Sequence, residues 1–251
     1  MALCTPVFLH HLVMEKELKL VDNMKSNGLK MYNYWIVNGI YNFFSYLVTA
    51  ALYFSFGRYV CKLDFFQDTH ILLFIELFSC WGLCQVSLSM FFCSMFSSAQ
   101  SAAMSGYAIA IWSCCLTSNI TVAVFSVPRR LPEWMMFYPT FPFVRAMYLI
   151  IDPCTWETCY GDYDLAPPEF REMERWLILN SIVYLILALY LNEVLPQTYG
   201  VPKHPLFMFE SVCKHYLPNV HNYVFGDMTH LTAFRDAKEL NDEDTDVKRE
   251  R

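Results

Sequence analysis

The chain has 251 residues, 55% of them hydrophobic and 17% aromatic against 17% charged, with a net charge of −6. A water-soluble domain carries roughly 45–50% apolar and about 25% charged residues, so this chain has too little charge to solvate a globular surface and too much apolar area for one core. Lys and Arg are scattered, which excludes the basic face that nucleic acid requires.

In chain order, Met1 to His11 has neither a basic n-region nor a small-residue cleavage site, so no signal peptide is expected. Val7 to Val13 is a short apolar tail. After it Met14, Leu18, Val21 and Met24 recur at helical spacing, with Glu15, Lys16, Glu17 and Lys19 on the other side and Gly28 placed as a C-cap. The pattern predicts one amphipathic helix of about three turns within 14–28, lying beside a membrane.

Crossing about 30 Å of hydrocarbon takes roughly 20 helical residues. No charge falls between Lys30 and Arg58, and 32–56 reads as a first full span with Trp35 as an interfacial anchor. None falls between Glu76 and Arg129, a stretch long enough for two crossings, 71–96 and 102–127, broken at Ser97-Ser98-Ala99-Gln100-Ser101. Within the second of these, Ala102, Gly106 and Ala110 repeat every four residues and predict close approach of a neighbouring helix. Gln85, Ser87, Ser89, Asn119 and Thr121 either line a path or bond between helices, and Glu76 sits shallow enough to reach water. His10, His11, Cys80 and Cys84 do not amount to a metal site.

The stretch 134–151 is apolar but interrupted by Pro139, Pro142 and Arg145. It predicts a pair of short re-entrant or interfacial helices, followed by an acidic, water-facing segment from Asp152 to Glu174. A last span is predicted over 176–194, ending before Pro196. Of the ten cysteines most fall in apolar runs and act as small hydrophobes, while Cys154 and Cys159 share a polar loop. A local disulfide between these two requires that loop to face an oxidising side. Lys16, Lys19, Lys25 and Lys30 before the first full span, and Lys203 after the last, place both ends of this multi-pass protein in the cytoplasm. No two of the eight glycines have P-loop spacing, and no zinc or serine-hydrolase motif occurs, so no catalytic residue is expected.

Three segments carry a family resemblance. Glu15-Lys16-Glu17-Leu18-Lys19-Leu20-Val21-Asp22-Asn23-Met24-Lys25-Ser26-Asn27-Gly28-Leu29 resembles the cytoplasmic element of the A subfamily of ABC transporters, where a charged helix follows a membrane helix. Tyr190-Leu191-Asn192-Glu193-Val194-Leu195-Pro196-Gln197-Thr198-Tyr199-Gly200-Val201-Pro202-Lys203 resembles the end of that family's last span, and Asp246-Val247-Lys248-Arg249-Glu250-Arg251 is similar to its linker into a nucleotide-binding domain.

The resemblance implies an all-α polytopic bundle over 1–195, with Val7 to Val13 as the inner end of a partial span. It also implies a coupling helix at 14–28, an outward re-entrant hairpin at 134–151, and a linker over 196–251. Glu15, Lys16, Glu17, Leu18, Lys19, Met24 and Gly28 would form the coupling element. Lipids or other amphipathic substrates would be moved with ATP and Mg held by a nucleotide-binding domain outside this stretch, the partners being that domain, a second transmembrane half and membrane lipids. Against that pattern the chain reads as a truncated half. The alternative is a non-transporting remnant or a regulatory partner of an intact transporter.

Overall fold

Backbone amides and carbonyls have no water to bond in hydrocarbon, so uncharged runs of this length must close their hydrogen bonds within helices. The computed structural model describes residues 4–120, 132–156, 160–163 and 166–195, and every regular element among them is helical. In order these are α1 (Cys4–Glu17), α2 (Leu20–Ser26), α3 (Met31–Ser55, continued by a π-helical turn Phe56–Val60), α4 (Asp64–Asp68), α5 (Ile71–Met95), α6 (Ala99–Ile120), α7 (Glu133–Met136), α8 (Thr140–Trp156) and α9 (Pro168–Val194). Two units divide the chain, Met1–Leu191 and Asn192–Arg251. Of the second, the described residues 192–195 carry α9 to its end, and the predicted linker from 196 onward lies outside the described residues.

Three of these helices are long and apolar enough to cross a membrane: Met31–Val60, Ile71–Met95 and Pro168–Val194. The first two match the predicted spans at 32–56 and 71–96. The span predicted over 102–127 falls on α6, which starts at Ala99 and whose described part, holding Gln100, Ser101, Ser105, Ser113, Thr117 and Asn119, is less apolar than the other three. Residues 121–127, which were to complete that span, lie outside the described residues.

The last helix also starts earlier than predicted, at Pro168 and not at residue 176. Pro168 occupies the first turn, where its missing N–H costs nothing, and Glu169 beside it favours the positive end of the helix dipole. Part of the segment predicted to be water-facing is therefore the first two, charged turns of α9. Upstream, α8 runs on to Trp156, so the segment predicted to be water-facing begins within this helix. Pro142 is the third residue of α8, where no intrahelical donor is needed.

Packing centres on α1, which lies most extensively against α6 and next against α5; α5 in turn takes α3, while α8 touches α4, α5 and α6. Leu9, Leu12 and Val13 of α1, Leu73, Phe74, Leu77 and Trp81 of α5, and Leu177 of α9 are buried in one cluster. Polarity runs opposite to that of a soluble protein. Asn42, Gln85, Ser87, Ser89, Ser113, Thr117 and Asn180 are buried, while Ile36, Ile40, Phe44 and Leu52 of α3 and Ile178, Ile182 and Ile186 of α9 are exposed. A continuous apolar face of this kind is unstable against water and stable against lipid.

Arg145, which interrupts the apolar stretch of α8, is 6% exposed and donates through Nε and Nη2 to Glu169 Oε1 at 3.0 and 2.9 Å. This pair ties α8 to the first turn of α9. Because the Glu169 side chain is 34% exposed and can return to water, Arg145→Met is expected to cost only about 1 kcal/mol. Glu169→Leu, which leaves the guanidinium buried, should cost more. Melting temperatures of both variants in detergent measure the difference.

Candidate functional site

The helix predicted over 14–28 is two helices. α1 continues from its buried apolar part through Glu17, then breaks at Leu18–Lys19, with Lys19 in the left-handed region at φ +57. Leu18 N–H still reaches Met14 O at 3.0 Å and Lys19 N–H reaches Lys16 O at 3.1 Å, so the chain turns without leaving these donors unpaired. α2 then runs Leu20–Ser26 and ends where Gly28, at φ +89, lets Leu29 N–H close back on Met24 O at 3.0 Å. Met14 and Leu18 of the apolar stripe are exposed, while Val21 and Met24 are half-buried.

The last turn of α1 binds the ends of three other helices. The Glu15 carboxylate accepts from Tyr34 OH at 2.8 Å, at the start of α3. Lys16 Nζ donates to Phe96 O at 3.4 Å, at the C-terminal end of α5. The Glu17 carboxylate accepts from the backbone amide of Ala99 at 2.7 Å, the first residue of α6. Each charge suits its target: a helix C-terminus presents unpaired carbonyls and partial negative charge, an N-terminus unpaired amides and partial positive charge. The α5–α6 hairpin, whose own sequence holds no charged residue after Glu76, thus has both of its inner ends capped by adjacent side chains of α1.

At the break Ser97 to Ser101, the amide of Ala99 takes its acceptor from a residue 82 positions away. No local pattern announces that pairing. Its sole hint in the sequence is a hairpin turn without charges of its own.

At the other end of α5 a second polar group joins elements across the fold. His70 N–H donates to Tyr160 O at 2.9 Å, Tyr163 OH bonds both oxygens of Glu76 at 2.8 and 2.9 Å, and Arg171 stands 5.3 Å over the Tyr163 ring. The bonded Glu76 carboxylate holds the Tyr163 phenol above its ordinary range. Glu76 is therefore a tie between α5 and the segment before α9. Nearby, Thr69 Oγ1 lies 3.5 Å from Cys154 Sγ. Cys154 is disulfide-bonded, while Cys159 lies outside the described residues.

The remaining predicted residues are placed as follows. Ala102 and Ala110 are buried on α6, and a Cβ on Gly106 would meet Pro6 Cβ at 2.9 Å and Cα at 3.0 Å, so the neighbour along this stripe is α1. Gln85 accepts from Thr5 of α1, and Ser87 pairs with Ser181 of α9 at 3.0 Å. Ser89 and Asn119 bond their own helices, and Thr121 lies outside the described residues. Among the described residues no group of three or more His, Cys, Asp or Glu could hold a metal ion.

The sequence profile described as "ABC-2 family transporter protein" matches residues 2–190. The chain belongs to the ABC-2 transporter family. It is similar to two proteins of Dictyostelium discoideum, ABC transporter A family member 9 (32% identical, 82% of this chain and 24% of that protein) and ABC transporter A family member 7 (33% identical, 82% and 24%). It is also similar to ABC transporter A family member 11 of Arabidopsis thaliana (25% identical, 79% and 22%). The chain thus spans about a quarter of the length of the curated relatives it matches. As an ABC-2 membrane domain it is a multi-pass transporter component, and domains of this kind work with nucleotide-binding domains.

Proposed function

We propose that this ABC-2 membrane domain moves lipids or other amphipathic substrates across a bilayer, driven by ATP that is bound with Mg and hydrolysed on a nucleotide-binding domain outside this chain. Its partners in this reading are that domain, a second transmembrane half and membrane lipids, and the chain itself performs no catalysis. The substrate class rests on the resemblance to A-subfamily transporters. The lysines that precede the first full span, with Lys203 after the last, support cytoplasmic ends, and the broken pair α7–α8 is then a re-entrant element on the outer side.

The observation that carries the mechanism is the three-way attachment of Glu15, Lys16 and Glu17. A short helix, α2, hangs from a turn of α1 that is bonded to the ends of α3, α5 and α6. Displacement of α2 by a moving ATPase domain is passed to three helix ends together, because each bond is charged or buried and no flexible linker intervenes. Leu18, Lys19, Met24 and Gly28 set the angle and length of that lever.

The test is purification in mild detergent from cells that also make a nucleotide-binding partner, followed by reconstitution into vesicles carrying a fluorescent phospholipid. The expected result is co-purification and ATP-dependent phospholipid movement, abolished by vanadate. A protein that binds no ATPase and moves no phospholipid with ATP would overturn the proposal.

A further inference from the structure

One carboxyl of α9 lies on the inward side of its helix. Phe170, Met173 and Leu177 form the buried face there, and Glu174 falls four residues after the first of them and three before the last. Its Oε1 is enclosed and meets no donor among the described residues. Enclosed polar atoms find a partner in the great majority of cases, and an ionised carboxylate without one is far more costly than the neutral acid.

A second carboxyl stands opposite. Arg171, three residues before Glu174 on the same side of α9, lies over the Tyr163 ring, and Tyr163 OH is bonded to both oxygens of Glu76. The second turn of α9 is thereby held beside Glu76, and both carboxyls face Cys80, one turn further along α5. The groups around Glu174 are then Glu76 and Cys80 from α5, Tyr163 with His70 against its ring, and Arg171 from α9 itself. Glu76 has its donor in Tyr163, whereas Arg171 is exposed and spread over the Tyr163 ring, leaving Glu174 Oε1 unbonded.

We propose that Glu174 is a proton-binding site, which holds its proton at neutral pH and so lets the charged first turns of α9 pack beside Glu76 of α5. Loss of the proton sets two anions against each other at an enclosed contact, and α9 moves off α5 at this end. The site lies at the end of α5 away from the α1 attachment, so it responds to the pH of the compartment on that side. The proposal does not depend on the transport reading. Its sign follows from linkage. The unfolded chain releases this proton near the ordinary carboxylate value of about 4.3 and the folded chain keeps it, so stability falls as pH rises above that value.

Infrared spectra of the full chain at about pH 7 test it, in a maltoside detergent that has no carbonyl of its own. Exposed carboxyls are ionised at that pH, so the carbonyl band of a protonated carboxyl should stand out in the unmodified protein and vanish in Glu174→Gln. Melting temperature reads the contact itself. Between about pH 5.5 and 8 the unmodified protein should lose about 3 °C more than Glu174→Gln, whose side chain stays neutral throughout. The proposal is overturned if no such band appears, if the band survives in the folded variant, or if both proteins respond to pH alike. Should Glu174→Gln fail to fold, Glu174→Ala takes its place in both measurements.

Discussion

Replacing Gly82 by Val should lower the stability of the bundle by about 3 kcal/mol, as inserted volume does in a well-packed core. Gly82 lies on α5 under the ring of Tyr46 on α3, and a Cβ there would stand 2.5 Å from Tyr46 Cε1. Tyr46 is 0% exposed, so its ring has no free space to swing into. Either α3 moves off α5 or the ring leaves its rotamer, and both loosen the contact between the two helices. Denaturation in detergent measures the loss. Adding Tyr46→Leu should recover part of it, because the second change removes the atoms with which Val collides. A Gly82→Val protein that melts with the unmodified one would show that the helices do not approach this closely.

Exchanging the charges of Lys16 and Glu17, as Lys16→Glu with Glu17→Lys, should uncouple transport while leaving composition and net charge unchanged. An acid would then face the carbonyl end of α5 and a base the amide end of α6. Each reversed interaction with a helix terminus costs about 1 kcal/mol in stability. The larger effect is expected on function. With the nucleotide-binding partner present, ATP-dependent phospholipid movement in vesicles should fall about tenfold, the size of a typical coupling free energy, while ATP hydrolysis continues. Equal transport by the exchanged and original proteins would remove the attachment from the mechanism. The single change Glu17→Gln keeps an acceptor for Ala99 N–H and should show an intermediate loss.

Much of the fold can be read from local chemistry. Uncharged runs of span length mark α3 and α5 to within a residue or two, since the cost of leaving backbone groups unpaired in lipid acts on any such run wherever it lies. Counting only uncharged residues marks the span within α9 and not the start of its helix. Glu169 to Arg175 were assigned to water, and a helix can project its first, charged turns beyond the hydrocarbon, with Pro168 at the start. The predicted span over 102–127 includes 121–127, which lie outside the described residues, and the described part of α6 is polar at several positions.

Composition and hydropathy alone established an all-helical membrane protein, and the motifs around Glu15 and Tyr190 pointed to its family, because burial preference and helix termination are set by neighbours in the chain. The partners of Glu15, Lys16 and Glu17, the ring over Gly82 and the enclosed oxygen of Glu174 depended on how the helices pack. Lys16 meets Phe96 across 80 residues and Glu17 meets Ala99 across 82. Bonds of that separation form only once the intervening helices have fixed the positions of their ends, so no local pattern of charges could have announced them.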